Sequence, residues 1–209
     1  AVRRILPLMP DHRANPTDPS LGSAAIHAPW RLKYLESLDA QEKSRPAPPQ
    51  DDPGGAASFL RDYWLNPQDD EKNHVIVRAG DGSPLGGMIL LNAYPYANGH
   101  LLVALGEGRP RLLDYAPEQR AALWRLTDAA AALMDAALEP QGINFGINQG
   151  RAAGAGVPGH LHVHLVPRWQ GDVNFITVVA KVRVIPSSLE AMAARYRAAW
   201  ERIRADWPL

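Results

Sequence analysis

The chain has 209 residues, 22 of them Lys or Arg and 22 Asp or Glu, so its formal net charge is zero. That length suits a single domain of ordinary composition, 46% apolar and 21% charged, able to bury a core without staples. Balanced charge excludes the basic surplus that bulk nucleic-acid binding requires. The absence of cysteine excludes disulfides, thiolate zinc sites and cysteine nucleophiles, and fits a reducing compartment.

The opening AVRRILPLMPDHR carries two arginines, but its apolar stretch ends by Asp11. That is short of the about 7–15 apolar residues of a secretory leader, and no run approaches the roughly 18 needed to span a membrane. The chain is expected to be cytoplasmic, with no membrane partner. Residues 1–58 read as an irregular N-terminal arm rich in Pro, Asp and Ser. It holds one amphipathic island, Ala28–Leu38, and a linker-like stretch from Gln41 to Gly55. A core of residues 73–186 follows, then a helix over 187–207, all within one domain spanning 1–209.

Short β-rich runs begin at Val75–Ala79, which a turn at Gly80-Asp81-Gly82 joins to Gly87–Leu91, a hairpin signal. Turn material (NAYPYANG) leads to His100–Leu105. Pro117 then opens a helix at its tolerated first position, with an apolar stripe at Leu123, Leu126, Ala130, Leu133, Met134 and Ala137, and Pro140 and Gly142 stop it. Further β-like runs are Ile143–Asn148, His160–Val166 and Asn174–Ile185. Ser187 and Glu190 form a capping-box pattern for a last helix with Leu189, Met192, Tyr196, Ala199, Trp200 and Ile203 on one face. The pattern is α+β with a mostly antiparallel sheet.

Three of the seven histidines fall at alternate positions: His160, His162 and His164, separated by Leu161 and Val163 and followed by Leu165. Strand side chains alternate between faces, so the imidazoles line one face and the aliphatics enter the core from the other. One reading is solvated histidines on an exposed sheet. A second is a metal site, since neutral imidazole is a common ligand; in-register residues lie about 7 Å apart along a strand, however, which makes it hard for all three to close on one ion. A third is nucleophilic catalysis at phosphorus, with one imidazole attacking and the others orienting it. The preceding segment, Asn148 to Gly159, favours the third. Its glycines and alanines let backbone N–H groups approach an anion. Arg151 and Arg168 flank the cluster and read as surface charges.

HLHVHLV fits the alternating pattern His-φ-His-φ-His-φ-φ (φ apolar) of the histidine-triad (HIT) superfamily of nucleotidyl transferases and hydrolases, and the resemblance extends further. Leu91–Val103, Gly142–Gly150, His160–Trp169 and Gly171–Pro186 resemble successive blocks of its diadenosine tetraphosphate phosphorylase branch, and APWRLKYLES resembles an N-terminal block. The likeness runs from Ala28 to Pro186. It implies a HIT-like α+β fold: a mostly antiparallel five-stranded sheet, a long helix between strands and a C-terminal helix.

The resemblance also implies roles. His162 matches the nucleophile that forms a nucleotidyl-histidine intermediate, His160 the histidine that orients it, and His164 the one that hydrogen-bonds the bridging oxygen. Asn92 matches the ribose contact, Asn148 and the loop Gly154, Ala155 and Gly156 the phosphate-binding segment, and His100 a histidine beside the site. The implied reaction converts diadenosine tetraphosphate and phosphate to ADP and ATP. The alternatives are hydrolysis, with water as acceptor and an AMP-like product, and cleavage of nucleoside phosphoramidates. No resident metal or cofactor is required, though a divalent cation accompanying the nucleotide is compatible, and a homodimer is implied. The loop departs from the family pattern in having Gly156 near a usual Ser or Thr. The cysteine-based zinc site of many relatives is excluded, which leaves stability to packing that includes Trp30; Trp30 and Trp169 read as core or interface fillers. From the ordinary imidazole pKa of about 6.5, activity is expected to fall in mild acid.

Overall fold

Val75–Ala79 (β1) and Gly87–Leu91 (β2) pair antiparallel, as the turn residues between them require. The structure is a computed structural model that describes residues 58–80, 82–172 and 185–209. The same sense continues through Leu101–Leu105 (β3), Gly142–Ile147 (β4) and Val163–Arg168 (β5), in the sheet order β1-β2-β3-β5-β4. Among the described residues three α-helices accompany the sheet: Phe59–Leu65 (α1), Pro117–Leu138 (α2) and Leu189–Ile203 (α3). Among the described residues no helix is long and apolar enough to cross a membrane.

β2 and β3 are buried at every position, because the sheet is covered on both faces. The side chains divide with the strand's period of two. Ile89, Leu91, Leu101, Val103 and Leu105 join the main core with Leu123, Leu126, Leu133 and Met134 of α2 and Met192 and Tyr196 of α3. Met88, Leu90, Leu102 and Ala104 point the other way, into a second cluster closed by Leu60, Tyr63 and Trp64 of α1. All six residues of the α2 stripe are buried. Two arginines of α3 reach the end of α2, Arg195 Nε donating to the Ala137 carbonyl and Arg202 to that of Ala136, and so satisfy carbonyls the helix leaves open.

The expected hairpin, long inter-strand helix and C-terminal helix are all present, with shifted edges. The sheet enters the histidine segment at Val163 rather than His160. The His160 N–H turns back to the Val157 carbonyl and the Leu161 N–H goes to Arg109, so neither joins the ladder. The α3 cap is Ser188, whose hydroxyl accepts from the Ala191 N–H, while Ser187 accepts from the Asn98 side chain instead. Helix α1 falls where an irregular arm gives way to unassigned chain in the sequence reading. The Ala28–Leu38 island, Trp30, the linker-like stretch, Asp81 and all but the last residue of the Asn174–Ile185 run lie outside the described residues.

Candidate active site

Register places the histidines on the α1 face. His164 pairs with Leu102 on one side and Gly146 on the other, and Leu102 pairs with Leu90, giving a row Leu90–Leu102–His164–Gly146 across four strands. Leu161, Val163 and Leu165 enter the main core, as their alternation predicts. The histidines are not solvated, being 0%, 6% and 9% exposed at His160, His162 and His164. Burial of three imidazoles demands partners for their nitrogens, and the partners fix each tautomer.

His160 lies 2.8 Å through Nε2 from the Leu105 carbonyl, which can only accept, so that nitrogen carries the proton. Its Nδ1 is then an acceptor, and the Ser58 hydroxyl donates to it at 2.7 Å. Both nitrogens are occupied by the protein, which leaves His160 with no group to offer a ligand. His162 donates from Nδ1 to the His160 carbonyl at 2.9 Å, leaving its Nε2 with a bare lone pair. His100 accepts at Nδ1 from the Tyr96 backbone N–H at 3.1 Å and faces the Asn92 amide at 3.2 Å, so its Nε2–H donates to His164 Nδ1 at 3.0 Å. His164 therefore carries its proton on Nε2. Among the described residues, no hydrogen-bond partner takes up the Nε2 atom of His162 or of His164. The site presents one nucleophilic nitrogen and one N–H donor side by side, on rings 4.8 Å apart.

All three imidazoles are held neutral. Burial pulls His160 and His164 down to about 4, against a hydrogen bond to Leu105 at His160 and with help from His162 at His164. It lowers His162 as well, opposed by the His160 carbonyl. His162 therefore stays unprotonated below the ordinary imidazole pKa, so a loss of activity by its protonation is now expected at a pH lower than about 6.5.

Tyr96 stacks on His164, with ring centroids 5.8 Å apart and planes 20° from parallel, and tilts over His100 at 4.8 Å. Beside this group a cavity of about 230 Å³ opens between α1 and the strands, lined by Phe59, Tyr63, His74, Leu90, Asn92 and Leu102 among others. Asn92 thus joins the cavity to His100 and the triad. On the opposite side the glycine-rich loop folds on itself: Ala153, Gly154 and Ala155 donate their N–H groups to the carbonyls of Gly150 and Arg151, and the Asn148 amide reaches the Gly154 carbonyl at 3.5 Å. Gly150 and Gly154 adopt left-handed φ values of 80° and 87°, which favour glycine. Among the described residues, a side-chain carbon at Gly146, the residue paired with His164, would meet nothing within 4 Å. Arg168 is bound to Asp172 and Asn144, a structural use that matches its reading as a surface charge. Trp169 packs partly buried against the main core. Ser58, Phe59, Tyr63 and Tyr96 went unread in the sequence; Ser58 ahead of an apolar pair repeated four residues on (Phe59-Leu60, Tyr63-Trp64) was the available signal.

The HIT domain family model matches residues 86–171. The chain is 34% identical over 180 residues to a protein from Mycobacterium tuberculosis named AP-4-A phosphorylase, covering 85% of this chain and 84% of that one. This chain belongs to the HIT family. A second HIT relative, the bis(5'-adenosyl)-triphosphatase of Dictyostelium discoideum, is 32% identical over 83 residues, 40% of this chain and 55% of that protein. A zinc-bound histidine triad family protein from Mycobacterium smegmatis shares the HIT fold at TM-score 0.56 and 25% identity, covering 73% of this chain and 99% of that one. Among the described residues of this HIT protein, no group of three or more His, Asp or Glu side chains is placed to hold a metal ion.

Proposed function

We propose that this HIT protein is a nucleotidyltransferase that cleaves dinucleoside polyphosphates through a nucleotidyl group on His162, with inorganic phosphate as acceptor. The observation that carries the reading is the bond from His162 Nδ1–H to the His160 carbonyl, which aims the Nε2 lone pair outward. The Nε2 atom attacks the α-phosphorus, and the P–O bond to the polyphosphate breaks. The leaving group departs with the electron pair as a stable anion. His164 hydrogen-bonds the departing oxygen from Nε2–H and keeps its proton. The positive charge left on the nucleotidyl-imidazole is stabilised at Nδ1–H by the same carbonyl. Phosphate then attacks the same phosphorus and the P–N bond breaks, so that diadenosine tetraphosphate gives ATP in the first step and ADP in the second.

The nucleoside is assigned to the cavity between α1 and the sheet, with its base against Phe59 and Tyr63, its ribose at Asn92 and its phosphates between His162, Asn148 and the Gly154–Gly156 loop. The adjacency of Leu90, Leu102 and His164 in one cross-strand row supports this order. Similarity to the AP-4-A phosphorylase across most of both chains favours phosphate as acceptor; water in its place would give AMP and ATP. Product analysis with diadenosine tetraphosphate, with and without phosphate, tests the reading. ADP appearing only with phosphate supports it, and no cleavage in either condition overturns it. We further assign the protein to the cytoplasm, which suits a chain without cysteine. We also assign it to a dimer through β4, an outer strand among the described residues, whose Phe145 is 51% exposed. A monomer by light scattering would refute the latter.

A further inference from the structure

His160 is the middle member of a chain of hydrogen bonds that begins outside the sheet. Ser58 precedes α1, and its hydroxyl does two separate things. Its oxygen accepts the Arg61 N–H at 3.1 Å, capping the helix, and its proton goes to His160 Nδ1 at 2.7 Å across 102 residues of sequence. The other side of the His160 ring is held by the last residue of β3, through the Leu105 carbonyl at 2.8 Å. Gly108 lies flat against the ring, so close that a side-chain carbon there would stand 2.8 Å from Nδ1. Arg61 ties α1 to the same segment by donating to the Gly106 carbonyl at 2.7 Å. Ser58 is 5% exposed and His160 fully buried, so water does not substitute for either partner.

From this arrangement we infer that Ser58 is a positioning residue for the nucleophile: its hydroxyl donates to the Nδ1 that the Leu105 bond leaves bare and locks the residue whose backbone carbonyl orients His162. The inference rests on the reading of His162 as nucleophile. With its ring tied at both nitrogens, His160 is held from its side chain as well as by the backbone bonds of its own N–H and that of Leu161, and the carbonyl that receives the His162 Nδ1–H keeps its place. Helix capping alone does not require this geometry, because a cap uses only the serine oxygen as acceptor. The hydroxyl proton is a separate function. The charged and titratable groups acting on His160 are Arg61 and His162, and both disfavour a second proton on the ring, as burial does.

The two functions come apart by substitution. Ser58→Thr keeps oxygen and proton, Ser58→Asp keeps a good cap but offers His160 an acceptor in place of a donor, and Ser58→Ala removes both. In protein labelled with 15N-histidine, the wild-type His160 ring is expected to be neutral with its proton on Nε2, and Ser58→Thr to preserve that spectrum. Ser58→Asp should place a second proton on the ring and lower kcat about tenfold, the effect of one misplaced hydrogen bond, with KM unchanged. Wild-type kcat and His160 nitrogen signals in Ser58→Asp would reduce Ser58 to a helix cap and overturn the inference. Failure of the nucleophile reading is separately visible, as the absence of a nucleotidyl adduct on the wild-type protein. In that case the ring spectra of Ser58→Asp alone decide whether the hydroxyl donation keeps the His160 ring singly protonated.

Discussion

Acidification should unfold this protein through its histidines, and the size of the effect follows from their burial. His160 and His164 bind a proton in the folded state only near pH 4, whereas in the unfolded chain each titrates near 6.5. Between those values the unfolded state holds more protons, so stability falls as pH falls. The loss begins near pH 6.5, proceeds at about 1.4 kcal/mol per pH unit for each histidine, and levels off below pH 4. The gap from 6.5 to about 4 corresponds to about 3 kcal/mol for each ring, a large share of the about 5–15 kcal/mol that holds a typical domain together. Urea unfolding followed by tryptophan fluorescence at pH 7, 6, 5 and 4 measures it. Carboxylates titrate toward the lower end of this range, so the decisive quantity is the difference between the wild type and His160→Gln, which removes one titrating ring. The variant should start less stable at pH 7 and lose about 3 kcal/mol less on acidification. Parallel pH profiles for the two proteins would refute the assignment of His160 as a buried neutral imidazole.

His162→Ala should abolish the nucleotidyl adduct detected by mass spectrometry after acid quench, while an undiminished adduct would move the nucleophile elsewhere. The wild-type kcat/KM should hold its neutral-pH value down through pH 6.5, because burial lowers the His162 pKa; a fall centred on 6.5 would mean an ordinary exposed imidazole. His100→Phe removes the donor to His164 Nδ1 and should lower kcat about tenfold through loss of the His164 tautomer, read by steady-state kinetics. Gly106→Ala would set a carbon 2.2 Å from the Trp64 ring and should cost about 1–3 kcal/mol in urea unfolding, as overpacking does.

The α+β architecture was legible because its signals are local. The α2 stripe, the Pro117 start and the alternation of Leu161, Val163 and Leu165 each declare a buried face by periodicity. The triad was legible for the same reason: spacing alone puts the three imidazoles on one face. What spacing does not carry is depth. Nothing in HLHVHLV says that His160 is wholly buried and silent toward ligands, since its partners are a serine 102 residues away and a carbonyl on β3. The entry of the chain into the sheet at Val163 depends equally on a carbonyl of Arg109 that no local pattern announces. Helix α1 has seven residues, which leaves room for one i, i+4 repeat of apolar residues after Ser58 and no longer pattern.

That shortness bears on how α1 exists at all. Isolated helices below about 12–15 residues are marginal in water, so seven residues have no tendency to stay coiled by themselves. The helix is held from outside at both ends. Ser58 bonds the triad at its start, and at its finish Arg78 of β1 donates to the carbonyls of Tyr63 and Trp64 while its guanidinium grips both oxygens of Asp70 and lies over the Trp64 ring. α1 is therefore a span rather than a spring, fixed at its two ends by Ser58 and Arg78. The wall it gives the cavity beside the triad then keeps its shape whether or not the cavity is filled.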